Sequence, residues 1–274
     1  MSSRAFDHSV RPYSQQVPNL GRLHHNAGSL SFDVTGSGPA VVLIHGFSLD
    51  RRSWLQQLCA LSASFRVITY DCRGFGRSSA PAGPYSHAED LAVLLRHIGV
   101  DSAHIVGSSM GGRIALNFAL SCPELVETVA LIGTDVGGYG FRIDWDVPVN
   151  SGDLTAARSH WLCHELFDTV RCRPLAWRRV RQMVTDYSGW HWQHPDIRSP
   201  GDTDVVDRLA DVDARVIAIV GRHDLPDFHT VADLVAARVP RARTVVVEGA
   251  GHLVNLEAPT ICNQILRRHF MGPR

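Results

Sequence analysis

The sequence predicts an α/β fold in which a mostly parallel β-sheet carries helices on both faces. Short, continuous apolar runs such as Val41–Ile44 alternate with segments of helical spacing, and such runs are typical of strands buried on both faces. The pentapeptide Gly107–Gly111 joins one apolar run to a helical pattern, and polar clusters follow the last two runs. Strands that alternate with helices in this way run mostly parallel to one another.

Each strand and helix of this fold can be placed in chain order. The first two strands form a hairpin, because a turn at residues 26–28 separates them. The eight predicted strands cover residues 20–24, 29–34, 41–44, 66–70, 103–106, 129–132, 216–220 and 244–247. The predicted helices cover residues 53–61, 90–98, 112–120, 231–238 and 259–270.

One long segment interrupts this alternation. Residues 137–209 contain no strand of this kind and hold five of the six tryptophans. Because the segment is inserted between two strands of the sheet, we interpret residues 135–208 as a helical cap. The cap would cover the carboxyl edge of the sheet, which is the edge formed by the carboxyl ends of the parallel strands. Residues 19–134 and 209–274 then form the α/β core, and the polar residues 1–18 form a loosely ordered arm.

The composition argues against several classes of partner. The 274 residues contain 27 Lys and Arg against 27 Asp and Glu, so no basic field is available to bind nucleic acid or an anionic membrane. No apolar stretch approaches the roughly 20 residues of a membrane span, and no leader-like pattern begins the chain. The six cysteines show no C-x-x-C spacing, so we expect free thiols and a cytoplasmic protein.

The pentapeptide at residues 107–111 is a G-x-S-x-G motif in a strand–turn–helix setting. This setting is typical of a nucleophile elbow, in which a tight turn holds one serine hydroxyl clear of the sheet. The register of the motif selects Ser109 and not its neighbour Ser108. Gly107 and Gly111 have no Cβ, so they allow the strand and the helix to approach closely.

A nucleophilic serine requires a base, an acid that orients the base, and donors for an oxyanion. Asp224 follows the strand at 216–220 and His252 follows the strand at 244–247, so both belong at the same edge as Ser109. The N–H groups of Phe47 and Met110 are the predicted oxyanion donors. The sequence therefore predicts a serine hydrolase whose chemistry requires no metal and no organic cofactor.

The chain resembles the α/β-hydrolase superfamily from about residue 20 to residue 270. The resemblance is carried by His45-Gly46-Phe47, by residues 71–78, by the elbow at Ser109, by residues 221–224 and by Gly251-His252. It implies the eight-stranded α/β-hydrolase fold, and the order Ser109, Asp224, His252 is the order expected of that fold.

Two groups within the superfamily are similar to different parts of the chain. Residues 108–112 and 115–120 resemble the carbon–carbon hydrolases of aromatic ring-cleavage products, whereas residues 251–259 are more similar to enol-lactonases and small esterases. Phe47-Ser48-Leu49 replaces the Gly-Pro-Gly-like loop of the first group, whose usual Val-Pro is also absent near Leu225-Pro226.

We therefore expect hydrolysis of a small-molecule carboxylic ester or lactone through an acyl-enzyme. Carbon–carbon bond hydrolysis of a vinylogous diketone is the first alternative, and a ligand receptor with slow turnover is the second. We also expect Trp190 or Trp192 to line the acyl pocket, against the alternative that both only join the cap to the core.

Several other polar residues have simpler interpretations. Asp135 could serve as the acid in place of Asp224, but a loop residue that caps the start of the inserted segment is the simpler interpretation. His45 is expected to hold the oxyanion loop. His160 and His164 have the i, i+4 spacing of zinc ligands, but the spacing supplies no third ligand, so an ordinary polar helix is favoured.

Overall fold

A computed structural model describes residues 19–26, 28–147, 153–195, 197–198 and 204–272. The arm predicted at residues 1–18 lies outside the described residues. The strands are β1 (Asn19–His25), β2 (Gly28–Thr35), β3 (Ala40–Ile44), β4 (Arg66–Tyr70), β5 (Ala103–Ser108), β6 (Val126–Ile132), β7 (Arg215–Gly221) and β8 (Ala242–Val247).

The helices of the described residues include all five that the sequence predicts. The observed helices differ from the predicted ones mainly in their first residues. Helix α2 begins three residues earlier than predicted, and α8 begins five residues earlier. The helices are α1 (Leu55–Leu61), α2 (His87–His97), α3 (Met110–Ser121), α4 (Leu154–Leu162), α5 (Asp168–Arg171), α6 (Pro174–Asp186), α7 (Trp190–Gln193), α8 (Pro226–Arg238), α9 (Val254–Glu257) and α10 (Pro259–Met271).

Two of these early starts have local causes. The Ser86 hydroxyl accepts a hydrogen bond from the Glu89 N–H at 3.2 Å, which caps the first turn of α2. Pro226 opens α8, where its fixed φ suits a helix and its missing N–H has no helical acceptor to lose.

The eight strands form one sheet in the order β1-β2-β4-β3-β5-β6-β7-β8. β1 pairs antiparallel with β2, and β2 pairs antiparallel with β4. The pairs from β4 through β3, β5, β6 and β7 to β8 are all parallel. The expected mostly parallel, eight-stranded sheet is confirmed, and β5, which leads into Ser109, lies inside it.

The central strands are buried on both faces of the sheet. Along β3, Val42 and Ile44 belong to one hydrophobic cluster, whereas Val41 and Leu43 belong to a second cluster on the other face. This alternation follows from the period of two in a strand, and it explains why the strand is a continuous apolar run. Helices α2, α3 and α8 contribute to the first cluster, and α1 and α10 contribute to the second.

Helices α4 to α7 lie between β6 and β7 in the chain, and we call the described residues from Asp135 to Arg198 the inserted segment. Its buried side chains, among them Trp161, Val180 and Met183, join the same hydrophobic cluster as α2, α3 and α8. A backbone bridge between Tyr85 and Arg198 ties its end to the loop before α2. None of the helices in the described ranges combines the length and the apolar composition that a membrane span requires.

Candidate active site

Ser109 lies between β5 and α3 with a φ of 53° and a ψ of −120°. A non-glycine residue in such a conformation costs of order 1–3 kcal/mol, so the surrounding structure must enforce it. The Ser109 N–H donates to the Ile132 carbonyl at 2.8 Å, and a Cβ on Gly107 would overlap the backbone of Gly111. The turn therefore requires glycine at that position and holds Ser109 at the carboxyl edge of the sheet.

The structure separates Ser109 from Ser108. Ser108 is buried at the end of β5, and its hydroxyl has no hydrogen-bond partner among the described residues. Ser109 is half-buried and lines a cavity of about 390 Å³. Of the two hydroxyls, only that of Ser109 belongs to a residue of this cavity wall.

His252 lines the same cavity and is bound to Asp224. Its Nδ1 lies 3.1 Å from both carboxylate oxygens of Asp224, whose side chain is fully buried. A carboxylate can only accept, so Nδ1 carries the proton and Nε2 of a neutral ring has a free lone pair. Gly133 at the end of β6 fits against this pair, because a Cβ there would lie 3.0 Å from Nδ1.

Glu257, which sequence reasoning missed, holds the backbone on both sides of His252. Its two carboxylate oxygens accept hydrogen bonds from the N–H groups of Gly251 at 2.8 Å and Leu253 at 3.0 Å. Burial raises the pKa of the Glu257 carboxyl above its ordinary value. The available signal was a single acidic residue in the mostly apolar stretch from Leu253 to Ala258.

The predicted oxyanion residues Phe47 and Met110 both line the cavity. Within the described ranges, neither of their N–H groups has a hydrogen-bond acceptor, as an oxyanion donor requires in a free site. The loop that carries Phe47 passes close to the elbow, since a Cβ on Gly46 would lie 3.4 Å from the Ser109 Cβ.

His45 holds this loop, as the sequence predicts. Its Nε2 accepts from the Cys72 N–H at 3.0 Å, so the proton is on Nδ1, which donates to the Gly46 carbonyl at 2.8 Å. Burial lowers the pKa of His45, and both ring nitrogens are used by backbone groups. This arrangement leaves His45 no lone pair with which to act as a second base.

The remaining walls of the cavity are mostly aromatic and come from the inserted segment. Trp161 is anchored by its indole N–H, which donates to the Ser48 hydroxyl at 2.7 Å. Phe47 packs edge-on against Trp161 and against Tyr187. The aromatic residues of the inserted segment that line the cavity are Tyr139, Phe141, Trp145, Trp161, Phe167, His191 and Trp192.

Trp192 lies in the cavity wall, but Trp190 does not. Trp190 instead stacks on His194 with a ring separation of 4.6 Å. Both tryptophans belong to α7, where residues two apart point about 200° apart, so the two side chains face in nearly opposite directions. Of the two residues that the sequence offered, Trp192 lines this cavity and Trp190 does not, and the binding of an acyl group there stays a prediction.

Asp135, considered above as an alternative acid, forms its ion pair with an arginine, whereas His252 is paired with Asp224. The Oδ2 atom of Asp135 forms an ion pair with Nη1 of Arg113 at 3.2 Å, and both residues line the cavity. Arg113 lies one helical turn after Ser109 on α3. The sequence analysis overlooked Arg113, although its i, i+4 spacing from the elbow serine placed it on the same side of the helix.

Of the two histidines with zinc-like spacing, His164 contacts backbone groups through both ring nitrogens. His164 accepts from the Leu166 N–H at 3.1 Å and lies 3.0 Å from the Asp144 carbonyl through its other nitrogen. Throughout the described residues, no three His, Cys, Asp or Glu side chains converge in a way that could hold a metal ion.

The profile of the alpha/beta hydrolase fold family matches residues 39–259 of the chain. The chain belongs to this family. The resemblance predicted from the motifs is confirmed, and the match includes β3 to β8 together with the inserted segment.

Two curated relatives match most of the chain. The chain is 31% identical over 245 residues to a putative carbamate hydrolase, RutD, of Pantoea ananatis, a match that covers 82% of this chain and 86% of the relative. It is 27% identical over 251 residues to the carboxylesterase YbfK of Bacillus subtilis, and this match covers 85% of this chain and 81% of the relative.

Solved structures of both groups expected from the motifs share the fold. The enol-lactonase of Burkholderia xenovorans LB400 matches with a TM-score of 0.78 and 24% identity, over 92% of this chain and all of the other. The meta-cleavage product hydrolase CumD of Pseudomonas fluorescens IP01 matches with a TM-score of 0.73 and 21% identity, over 89% of this chain and 94% of the other.

Proposed function

We propose that this protein is a serine hydrolase that cleaves a carboxylic ester or lactone of a small molecule through an acyl-enzyme. One observation carries the proposal. A histidine hydrogen-bonded to a buried carboxylate lies in the wall of the same cavity as a serine held at a strained elbow. This is the set of groups that converts a serine hydroxyl into a nucleophile.

The roles follow from the hydrogen bonds. The Ser109 hydroxyl attacks the carbonyl carbon, and Nε2 of His252 takes its proton and later gives it to the leaving oxygen. Asp224 holds the Nδ1–H of His252 and stabilises the imidazolium that forms. The N–H groups of Phe47 and Met110 would stabilise the tetrahedral oxyanion, and each such donor contributes about 3–4 kcal/mol in measured cases.

Water completes the cycle at the acyl carbon with the same groups in the same roles. His252 removes a proton from the water as the water oxygen bonds to the acyl carbon. The ester bond to Ser109 then breaks, Ser109 recovers its proton from His252, and the carboxylic acid leaves. The carboxylesterase among the relatives supports ester cleavage, and the two N–H groups without acceptors supply the donors that a tetrahedral oxyanion requires.

Covalent labelling tests the nucleophile. A fluorophosphonate probe should label Ser109 in the wild-type protein, and peptide mass spectrometry locates the label. The matched control is Ser108→Ala, which should still be labelled, whereas Ser109→Ala should not be. A label on Ser108, or undiminished ester turnover by Ser109→Ala, would show that the nucleophile is misassigned.

A substrate panel tests the bond that is cleaved. We expect turnover of 4-nitrophenyl esters or of lactones, with slower reaction of an aryl carbamate and of a ring-cleavage dienone. Faster turnover of the dienone would replace the proposal by carbon–carbon hydrolysis. A burst of one equivalent followed by almost no steady-state rate, with the ligand retained, would identify a receptor.

A further inference from the structure

A second, smaller cavity lies beside the candidate active site. It has a volume of about 180 Å³ and shares four wall residues with the larger cavity: Phe47, Met110, Arg113 and His191. Two of these four are the predicted oxyanion residues. The side cavity therefore begins within a few atoms of the place where the scissile carbonyl would bind.

The walls of the side cavity are rich in cationic and hydrogen-bond-donating side chains. Arg113 comes from the core and Arg198 from the inserted segment, and three histidines and Tyr85 add further polar groups. Among the described residues that form these walls, none is an aspartate or a glutamate. Such a lining matches an anion, because guanidinium groups bind carboxylates through charge-assisted hydrogen bonds.

One of the three histidines, His87, is affected by both guanidiniums. It is buried at the start of α2, and its ring packs edge-on against Tyr85 at 5.0 Å. Burial, followed by the positive charges of Arg198 and Arg113, holds the pKa of His87 well below its ordinary value. Both guanidiniums therefore act on His87 with the same sign, and a bound anion would carry the opposite charge.

Arg113 keeps hydrogen-bonding capacity for such a ligand. It makes one ion pair, from Nη1 to Asp135 at 3.2 Å. Its buried Nε has no hydrogen-bond partner among the described residues. A buried donor without a partner is costly, so a ligand oxygen at this point would recover a hydrogen bond that the free protein lacks.

The geometry of the shared wall is held firmly. The Tyr187 hydroxyl accepts a hydrogen bond from the backbone N–H of His191 at 3.0 Å, and it is also within hydrogen-bond distance of His191 Nδ1, at 2.8 Å. The His191 ring also stacks on Phe75 with a ring separation of 4.4 Å. This fixed ring separates the aromatic main cavity from the cationic side cavity, so a substrate that fills both needs an apolar part and an anionic part.

We propose that the side cavity is a subsite for a carboxylate, and that the preferred substrate is an ester or lactone with a carboxylate a few atoms from its scissile carbonyl. This inference rests on the proposed function, which it makes more specific. The small volume favours a carboxylate on a short arm of two or three carbons over a large anionic group.

A matched pair of esters tests the subsite. The 4-nitrophenyl half-ester of glutaric acid carries the carboxylate, and the corresponding ester of glutaramic acid replaces it with a neutral amide of the same shape. With background hydrolysis subtracted, we expect kcat/KM of the wild-type protein to favour the anionic ester by at least about tenfold. The preference should shrink at high salt, since screening weakens the attraction.

Arg113→Gln should reduce this preference to within about threefold, and Arg113→Lys should retain part of it. The matched control is Arg181→Gln on α6, an exposed arginine that lines neither cavity, which should leave the preference unchanged. Circular dichroism and melting temperature show whether Arg113→Gln is folded, and Arg198→Gln gives an independent second variant. An equal preference in wild-type protein and both variants overturns the subsite.

A binding measurement keeps the subsite testable apart from catalysis. Glutarate should bind to Ser109→Ala at least about tenfold more tightly than glutaramate by calorimetry, and Arg113→Gln in that background should abolish the difference. Turnover of the neutral ester without any preference for the anion would refute only the subsite. Preferential binding of glutarate without turnover of any ester would refute only the proposed hydrolase.

Discussion

The carboxyl edge of the sheet and the inserted segment both form walls of the candidate active site, but they hold their side chains by different means. At the edge of the sheet, backbone groups fix the proposed catalytic residues. The Ser109 N–H is bound to the end of β6, and Glu257 binds the N–H groups on either side of His252. In the inserted segment, side chains hold other side chains, as in the Trp161–Ser48 and Tyr187–His191 hydrogen bonds.

This difference indicates that the two regions have separate roles. Backbone anchors fix positions to a fraction of an ångström, which the chemical step requires. Packed aromatic walls determine which molecule fits, and they can change without moving the anchors. Substitutions at the sheet edge should therefore lower the rate for every substrate, whereas substitutions in the inserted segment should change the order of substrate preference.

The largest expected effect is at the buried acid. Asp224→Asn should lower kcat by about 10⁴, because an amide cannot hold His252 in the tautomer that accepts the serine proton. Asp135→Asn should lower kcat by no more than about tenfold, since Asp135 pairs with Arg113. Steady-state kinetics with one ester compares the two variants, and the reverse order would move the acid to the end of β6.

Low pH should lower the free energy of unfolding through the buried histidine His269. Burial lowers the pKa of His269 from 6.5 to about 4, while its Nε2–H donates to the Val129 carbonyl at 3.0 Å. The unfolded chain therefore binds a proton that the folded chain does not between pH 6.5 and 4. Stability is complete above pH 6.5 and falls as the pH drops through this window, by about 3 kcal/mol from this residue.

Urea unfolding at pH 7 and pH 4.5 measures this loss. His269→Gln keeps a side-chain donor for the Val129 carbonyl. Its free energy of unfolding should therefore fall less between pH 7 and pH 4.5 than that of the wild-type protein. His160, an exposed histidine of the inserted segment, provides the control, because His160→Gln should leave the pH dependence unchanged. An equal loss in His269→Gln and the wild-type protein would contradict the assignment.

Glu257→Gln should lower kcat by about 10- to 100-fold and leave KM within about twofold. The amide can accept only one of the two backbone hydrogen bonds, so the loop that carries His252 loses its fixed position. Glu248→Gln is the matched control, because this carboxylate is exposed and pairs with Arg222 on the surface. A rise in KM at constant kcat would show that Glu257 acts on substrate binding instead.

The smallest expected effect is at Trp192. Trp192→Ala should enlarge the cavity and raise the ratio of kcat/KM for a long acyl ester to that for an acetyl ester, by about 3- to 10-fold. Trp190→Ala should lower the melting temperature without changing the ratio, because Trp190 packs on His194 outside the cavity. Equal ratios in both variants would assign chain-length preference to other wall residues.

Local sequence determined the strands, the five helices α1, α2, α3, α8 and α10, and the position of the candidate nucleophile Ser109. Apolar runs such as Val41–Ile44 identify strands buried on both faces, since no other element of that length needs an uninterrupted apolar run. The G-x-S-x-G register selects Ser109 because the two glycines that the turn requires lie within the motif itself. Chain order placed Asp224 and His252 at the same edge, because parallel strands end together.

The tertiary structure decided what depends on contacts between distant residues. The rotation of the short helix α7 determines that Trp192 and not Trp190 faces the cavity, and the sequence cannot fix that rotation because packing sets it. The partner of Arg113 comes from the end of β6, and Arg198 comes from the end of the inserted segment. Electrostatic energy depends on distance through space, so only the folded chain shows which charges meet.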